Sequence, residues 1–200
     1  HGIYNYDGKV LWTQLRVEND TLLTGYRITN GWARVNYTYF AISFSKPIQQ
    51  YGCVEKAKVD YKGGHGKLDM THNFPDMGGR KLVTYFDFDP KAGSELEVKV
   101  ALSGVSTAGA LKNLQAEAAS FSFDQLAAQA AKRWEQALSV IDAKGSDDQL
   151  AMLYTSLYHT MINPCVYMDV DGQYRGLDHN IHQADGFTNY TVFSVWDTYR

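Results

Sequence analysis

Two polar clusters near the end of the chain mix acidic, basic and aromatic residues, a combination that sugar-binding and metal-binding sites use. They read Asp169-Val-Asp-Gly-Gln-Tyr-Arg-Gly176 and Trp196-Asp-Thr-Tyr-Arg200. In the second cluster the Asp197 carboxylate can accept two sugar hydroxyls while the Trp196 indole closes the pocket, because a charged acceptor forms strong, directional bonds. The alternative is structural: Asp197 begins a helix, where the macrodipole favours an acid, and Arg200 points outward.

The first cluster permits either a calcium loop or a tight turn. A calcium loop of the EF-hand type needs three oxygen-bearing positions before the glycine and a glutamate after it, and the segment lacks that pattern. We therefore predict a hairpin whose tight turn at Asp171-Gly172 joins two extended pieces, 166–168 and 173–174.

Charged residues beside this turn allow two further contacts. Arg175 and Asp178 can form an ion pair that shapes a rim. His179 and His182 are three residues apart, which suits a metal pair, but no third ligand is evident, so we interpret them as surface or rim histidines.

Composition excludes several classes of protein. The net charge of −3 gives no signal for a polyanionic partner, so we expect no nucleic acid. No stretch is long and apolar enough to span a membrane. The fourteen tyrosines suit a carbohydrate-handling protein and suit an antiparallel sheet equally well. Cys53 and Cys165 are too few for a disulfide scaffold, and we predict two lone buried thiols.

The first part of the chain has the two-residue periodicity of β-strands, so we predict an antiparallel β-sandwich over residues 1–104. Pro47 closes the third strand, and glycine pairs at 63–64 and 78–79 mark turns. The predicted strands cover 10–17, 21–29, 34–44, 54–59, 81–86 and 95–102.

The pattern changes to helical after Gly104. Residues 105–121 read as a helical linker rich in alanine and leucine. Capping-box spacing predicts helices at 123–142 and 147–162, the first ended by Lys144-Gly145 and the second by Pro164. Their apolar faces need partner faces, so we interpret residues 122–200 as the start of a helical barrel.

The resemblance to a known family is carried by three motifs. They are Leu157-Tyr-His-Thr-Met-Ile-Asn-Pro164, the Asp169–Gly176 cluster, and Tyr190-Thr-Val-Phe-Ser-Val-Trp-Asp-Thr-Tyr-Arg200. Together they resemble glycoside hydrolase family 92, the calcium-dependent exo-acting α-mannosidases of Bacteroides type. Upstream, Gly31-Trp-Ala-Arg34, 40–47 and 98–114 resemble that family's N-terminal sandwich and linker.

This resemblance implies an α+β multidomain fold, with the sandwich packed on an (α/α)6 barrel and the active site between them. It implies hydrolysis of terminal α-mannosides of glycans with inversion, a Ca²⁺ cofactor, and a periplasmic or secreted location. It maps substrate binding onto Asp197, with Trp196 and Arg200 in support.

The chain begins His1-Gly2 and stops inside the last motif, so we expect an internal segment of a larger polypeptide. The resemblance places the catalytic acid, the base and the main calcium ligands after Arg200. We therefore expect the 200 residues alone to be inactive and to contain no metal site. Two alternatives stay open: a non-catalytic carbohydrate-binding sandwich on a helical scaffold, and another (α/α)6 glycosidase.

Overall fold

The computed structural model describes residues 9–31, 34–54, 72–118 and 122–191. Strands dominate up to residue 103 and helices follow. The elements are β1 (Val10–Asn19), β2 (Leu22–Thr29), β3 (Asn36–Phe44), β4 (Ile48–Cys53), β5 (Asp76–Gly79), β6 (Thr84–Phe88), β7 (Val98–Ser103), α1 (Thr107–Glu117), α2 (Phe123–Leu138), α3 (Asp147–Met161), β8 (Gln173–Arg175) and β9 (Ile181–Gln183).

The strands form two layers, as the period of two predicts. A five-stranded antiparallel sheet has the order β5-β1-β2-β3-β7, and β4 pairs with β6 in a second sheet. A buried cluster joins the two sheets and is flanked by aromatic rings from β3 and β6. Its buried members are Leu15, Leu23, Ile48, Cys53 and Met77. Apolar burial between the sheets therefore stabilises the β part of the chain.

Helix α1 covers the opposite face of the large sheet. Ala41 of β3 packs against Ala110 and Leu114 of α1, and all three are almost fully buried. The small alanines let the helix backbone approach the strand closely. Ser106 caps the helix by accepting a bond from the Gly109 N–H at 3.0 Å. The predicted linker is thus a helix that lies on the sheet.

Helices α2 and α3 form the predicted antiparallel hairpin. Both begin with the capping boxes expected at Ser122 and Ser146. The Trp134 ring meets the Tyr158 ring edge-on at 4.6 Å between centroids. Nearer the connection, the Tyr154 hydroxyl donates to the Ile141 carbonyl at 2.9 Å.

The predicted end of the first of these helices is wrong. Helix α2 ends at Leu138 with Ser139 as its C-cap, well before Lys144-Gly145. The β-branched Val140 and Ile141, which follow directly, are poor helix formers, and this explains the early end.

Three strands, β4, β5 and β9, were not predicted from the sequence. Strand β4 begins directly after Pro47, which was interpreted only as a strand end. Gly78 and Gly79 belong to β5 rather than to a turn, because they pair with β1. A Cβ on Gly78 would lie 3.1 Å from the Trp12 ring, so this glycine makes room for the indole. The predicted strand 54–59 lies, after Val54, outside the described residues.

None of the helices in the described ranges combines the length and the apolar character that a membrane crossing requires.

Candidate functional site

A buried carboxylate joins the sheet to the segment that carries the predicted chemistry. Asp169 is 3% exposed. Its Oδ2 accepts the Ser103 hydroxyl at 2.7 Å, at the end of β7, and its Oδ1 accepts the Asn113 amide at 2.9 Å, from α1. Hydrogen bonds to a buried charge are strong, and losing one leaves an unpaired group, so this contact fixes the position of the segment after α3.

Asn113 and Gly109 complete this contact, which we call the Asp169 clasp. The Asn113 side chain also donates to the Leu102 carbonyl at 2.9 Å and accepts the Val170 N–H at 2.9 Å. A Cβ on Gly109 would overlap the Asp169 carboxylate and would lie 2.8 Å from Ser103 Oγ. The helix therefore needs glycine at this position for the carboxylate to enter.

The Asp169–Gly172 segment is a tight turn, as predicted. The Asp169 N–H donates to the Gln173 carbonyl and the Gly172 N–H to the Asp169 carbonyl, both at 2.8 Å. Lys112 Nζ lies 2.7 Å from Asp171 Oδ2. The hydrogen bond from Lys112 lowers the pKa of Asp171 and raises that of Lys112. Since the chain's own donors bind both carboxylates, this segment does not fit a calcium loop.

The strand pairing around the turn differs from the prediction. Strand β8 pairs with β9, and Val166 bridges Tyr190. Residues 166–168 and 173–174 are therefore not partners in a hairpin.

The Arg175 guanidinium donates hydrogen bonds to backbone carbonyls of the chain itself. Its Nε donates to the Gly104 carbonyl at 2.8 Å, Nη1 to the His179 carbonyl at 2.7 Å, and Nη2 to the Val105 carbonyl at 3.3 Å. The same group lies 4.6 Å above the centre of the Tyr37 ring. The ion pair considered between Arg175 and Asp178 is absent from the described contacts.

Asp178 instead pairs with a histidine. His182 Nε2 lies 3.0 Å from both carboxylate oxygens, and Asn180 donates from its backbone at 3.1 Å and from its side chain at 3.0 Å. The bonds from Asn180 and then His182 lower the pKa of Asp178 to about 2. Within the described ranges no three His, Cys, Asp or Glu side chains gather as a metal site would need. The described hydrogen-bond partner of the His182 ring is the Asp178 carboxylate.

Two adjoining cavities of about 330 and 530 Å³ lie where the segment after α3 meets the large sheet, a region that we call the seam. They share four residues: Asn36, Tyr167, Tyr174 and Arg175. Asp169 lies at the wall of the smaller cavity, while Asp178 and His182 line the larger one. Aromatic rings beside fixed polar groups suit a sugar, which presents both apolar faces and hydroxyls.

The residues singled out for substrate binding, Trp196, Asp197 and Arg200, lie outside the described residues. Their role stays a prediction. Of the two cysteines, Cys53 is buried as predicted, whereas the predicted burial of Cys165 is wrong because Cys165 is exposed, and neither forms a disulfide. The clasp was not predicted, because its Ser103 and Asp169 are 66 positions apart and no local pattern connects them.

Two family models and several solved structures match most of the chain. A family model described as the glycosyl hydrolase family 92 N-terminal domain matches residues 1–103. The model of that family's catalytic domain matches residues 109–200. No match was found among curated proteins.

Solved structures of family 92 enzymes also match this chain. A family 92 α-mannosidase from Bacteroides thetaiotaomicron is 39% identical, with a TM-score of 0.83, over 94% of this chain and 25% of its own. Its complex with mannoimidazole matches at 39% identity and a TM-score of 0.82, over 94% and 24% of the two chains. An inverting mannosidase of the family, from Bacteroides thetaiotaomicron VPI-5482, is 27% identical with a TM-score of 0.76, over 94% and 25%. The chain therefore spans about a quarter of the length of these relatives.

Proposed function

The chain belongs to glycoside hydrolase family 92, and from that premise we propose that it forms part of an exo-acting α-mannosidase. The complete polypeptide that carries it, called here the full-length enzyme, removes terminal α-mannose from glycans with inversion. The observation that carries this proposal is the 39% identity to an α-mannosidase over 94% of the chain. A mannoimidazole complex of that relative supports a mannose-containing substrate.

In this proposal the chain supplies the seam between the sheet domain and the first helices of the catalytic domain. Inversion uses one carboxylic acid to protonate the leaving oxygen and one carboxylate to activate water on the opposite face of the sugar. We expect both groups after Arg200. The described residues position the catalytic segment. The Asp169 clasp fixes the start of that segment, and Arg175 bonds it to the carbonyls that follow β7.

Asp197 is the residue that we propose to hold the terminal mannose. Its carboxylate accepts hydrogen bonds from sugar hydroxyls, and Trp196 and Arg200 support its position. This assignment rests on the resemblance of Trp196-Asp-Thr-Tyr-Arg200 to the family's sugar-binding motif. A carboxylate in this role binds the distorted sugar of the transition state more tightly than the ground state, which raises the rate.

We propose that the calcium ligands are residues outside the described ranges. Asp169 and Asp171 are bound by Ser103, Asn113 and Lys112, and Asp178 is bound by its own neighbours. These residues do not fit a calcium site, so we derive no step of the reaction through the metal here. The periplasmic or secreted location also stays a prediction, which cell fractionation tests.

The test is hydrolysis by the purified full-length enzyme. We expect release of the aryl group from an aryl α-mannoside, and no release from the matching β-mannoside or α-glucoside. Cleavage of the α-glucoside alone would identify another glycosidase, and binding of mannosides without cleavage would identify a carbohydrate-binding protein. Either result would overturn the proposal. We expect the purified 200-residue chain to cleave none of the three.

A further inference from the structure

The larger cavity of the seam carries a histidine whose second ring nitrogen has no bonding partner among the described residues. Asp178 and His182 line this cavity of about 530 Å³, together with Tyr174 and Tyr190. Its volume is within the range of about 300–1,000 Å³ that ligand pockets occupy. The His182 side chain is 43% exposed within this chain.

The pairing with Asp178 determines which nitrogen of His182 is free. Because the carboxylate accepts at Nε2, the neutral imidazole carries its proton there and keeps a lone pair on Nδ1. Gly176 makes this arrangement possible, since a Cβ there would lie 2.5 Å from Asp178 Oδ1 and 2.9 Å from His182 Nε2. The result is an oriented acceptor at the cavity wall.

The other walls are fixed as well. Tyr167 exchanges bonds with Asn189, from its own N–H at 2.9 Å and to its own carbonyl at 2.7 Å. The Thr191 N–H donates to the Cys165 carbonyl at 2.8 Å. The Tyr174 ring lies 5.6 Å from the His182 ring, measured between centroids. A site with pre-ordered walls binds without first losing conformational entropy, which favours affinity.

The chemistry of the lining points to binding rather than cleavage. Among the described residues that line the cavity, Asp178 is the sole carboxylate, and it is already bonded to His182 and Asn180. Inverting hydrolysis needs two carboxyl groups. The described wall therefore lacks the groups for bond cleavage but has the acceptor and the rings that hold a sugar.

We propose that this cavity is a subsite for a sugar unit of the glycan other than the terminal mannose. His182 Nδ1 accepts a hydroxyl of that unit, Tyr174 and Tyr190 contact its apolar faces, and Asp178 acts as a positioning residue for His182. This inference rests on the proposed function and deepens it, because it assigns recognition of the remaining glycan to this seam.

The experiment compares two substrates on the full-length enzyme. One is an aryl α-mannoside, whose leaving group offers no sugar hydroxyl, and the other is the linkage isomer of mannobiose that the wild type cleaves fastest. His182→Gln keeps an N–H donor for Asp178 and removes the Nδ1 acceptor. We expect kcat/KM on mannobiose to fall roughly 3- to 10-fold, mostly through a higher KM, as the loss of one hydrogen bond dictates. Activity on the aryl mannoside stays at the wild-type level.

Two further variants complete the test. Asp178→Asn keeps an acceptor oxygen but removes the charge that orients the ring, so it lowers mannobiose activity less than His182→Gln does, in the same direction. It also preserves the test if His182→Gln fails to fold. His159→Gln, at a histidine on α3 that lines neither cavity, is the control and leaves the ratio of the two activities unchanged.

The outcomes separate this inference from the proposed function. A wild type that cleaves neither mannoside refutes the proposed function itself. A wild type that cleaves both, with a mannobiose-to-aryl ratio that neither His182→Gln nor Asp178→Asn alters, refutes the subsite alone. Equal losses on both substrates also refute it, because a remote sugar unit cannot affect a substrate that lacks it.

Discussion

Gly109→Ala tests the Asp169 clasp, because helix propensity and the structure predict opposite signs for it. In an open helix, replacing glycine with alanine stabilises by about 1 kcal/mol. Here the new methyl group overlaps the Asp169 carboxylate and displaces it from Ser103 and Asn113. Two hydrogen bonds to a charged group contribute about 1.5–3 kcal/mol each, so we expect a net destabilisation of roughly 2–5 kcal/mol.

The assay is urea unfolding of the full-length enzyme, with the free energy taken from the first transition of each variant. In an Asp169→Ala background the methyl group no longer meets a carboxylate and retains only its contact with the Ser103 hydroxyl, so Gly109→Ala should lose most of its penalty, and the double-mutant cycle should show strong coupling. Gly79→Ala is the matched control, because nothing lies within 4 Å of its Cβ. A Gly109→Ala enzyme at least as stable as the wild type would refute the clasp.

Three further predictions concern the site. Asp197→Ala should abolish most hydrolysis with an unchanged melting temperature, since each lost bond to a charged acceptor costs about 1.5–3 kcal/mol. The activity of Asp197→Asn should lie between that of Asp197→Ala and that of the wild type, and a destabilised but fully active Asp197→Ala would show a helix cap instead. Chelation of divalent cations should stop hydrolysis by the full-length enzyme and added Ca²⁺ should restore it, whereas full activity in excess chelator would exclude a calcium requirement. Asp178 has a folded-state pKa of about 2, below its ordinary value of 3.8, so its stabilising contribution is present above pH 3.8 and is lost as the pH falls through about 2. The difference in unfolding free energy between the wild type and Asp178→Asn should therefore shrink over that pH interval in acid unfolding. A constant difference would contradict the bonds to Asn180 and His182.

The features that local sequence determines were predictable. The capping boxes at Ser122 and Ser146 fixed the starts of α2 and α3, because a cap depends on residues three positions apart. Strand β3 was predicted because its alternation places Tyr39 and Ala41 on the face that α1 covers.

The features that depend on distant contacts were not predictable from local patterns. Strand β5 is short and rich in glycine, and only its pairing with β1 makes it a strand. The clasp joins Ser103, Asn113 and Asp169 across more than fifty positions, so the Asp169 segment read only as a turn. Strand β8 pairs with β9 rather than with 166–168, and the three-residue β9 has no local strand pattern that would predict it.

The central proposal is that the full-length enzyme releases terminal α-mannose with inversion. A proton NMR time course of aryl α-mannoside cleavage tests it most directly, because the released mannose is then the only free sugar and its first anomer can be identified. We predict that β-mannose appears first and then equilibrates with the α-anomer. Initial release of α-mannose, or no release of mannose, would contradict it.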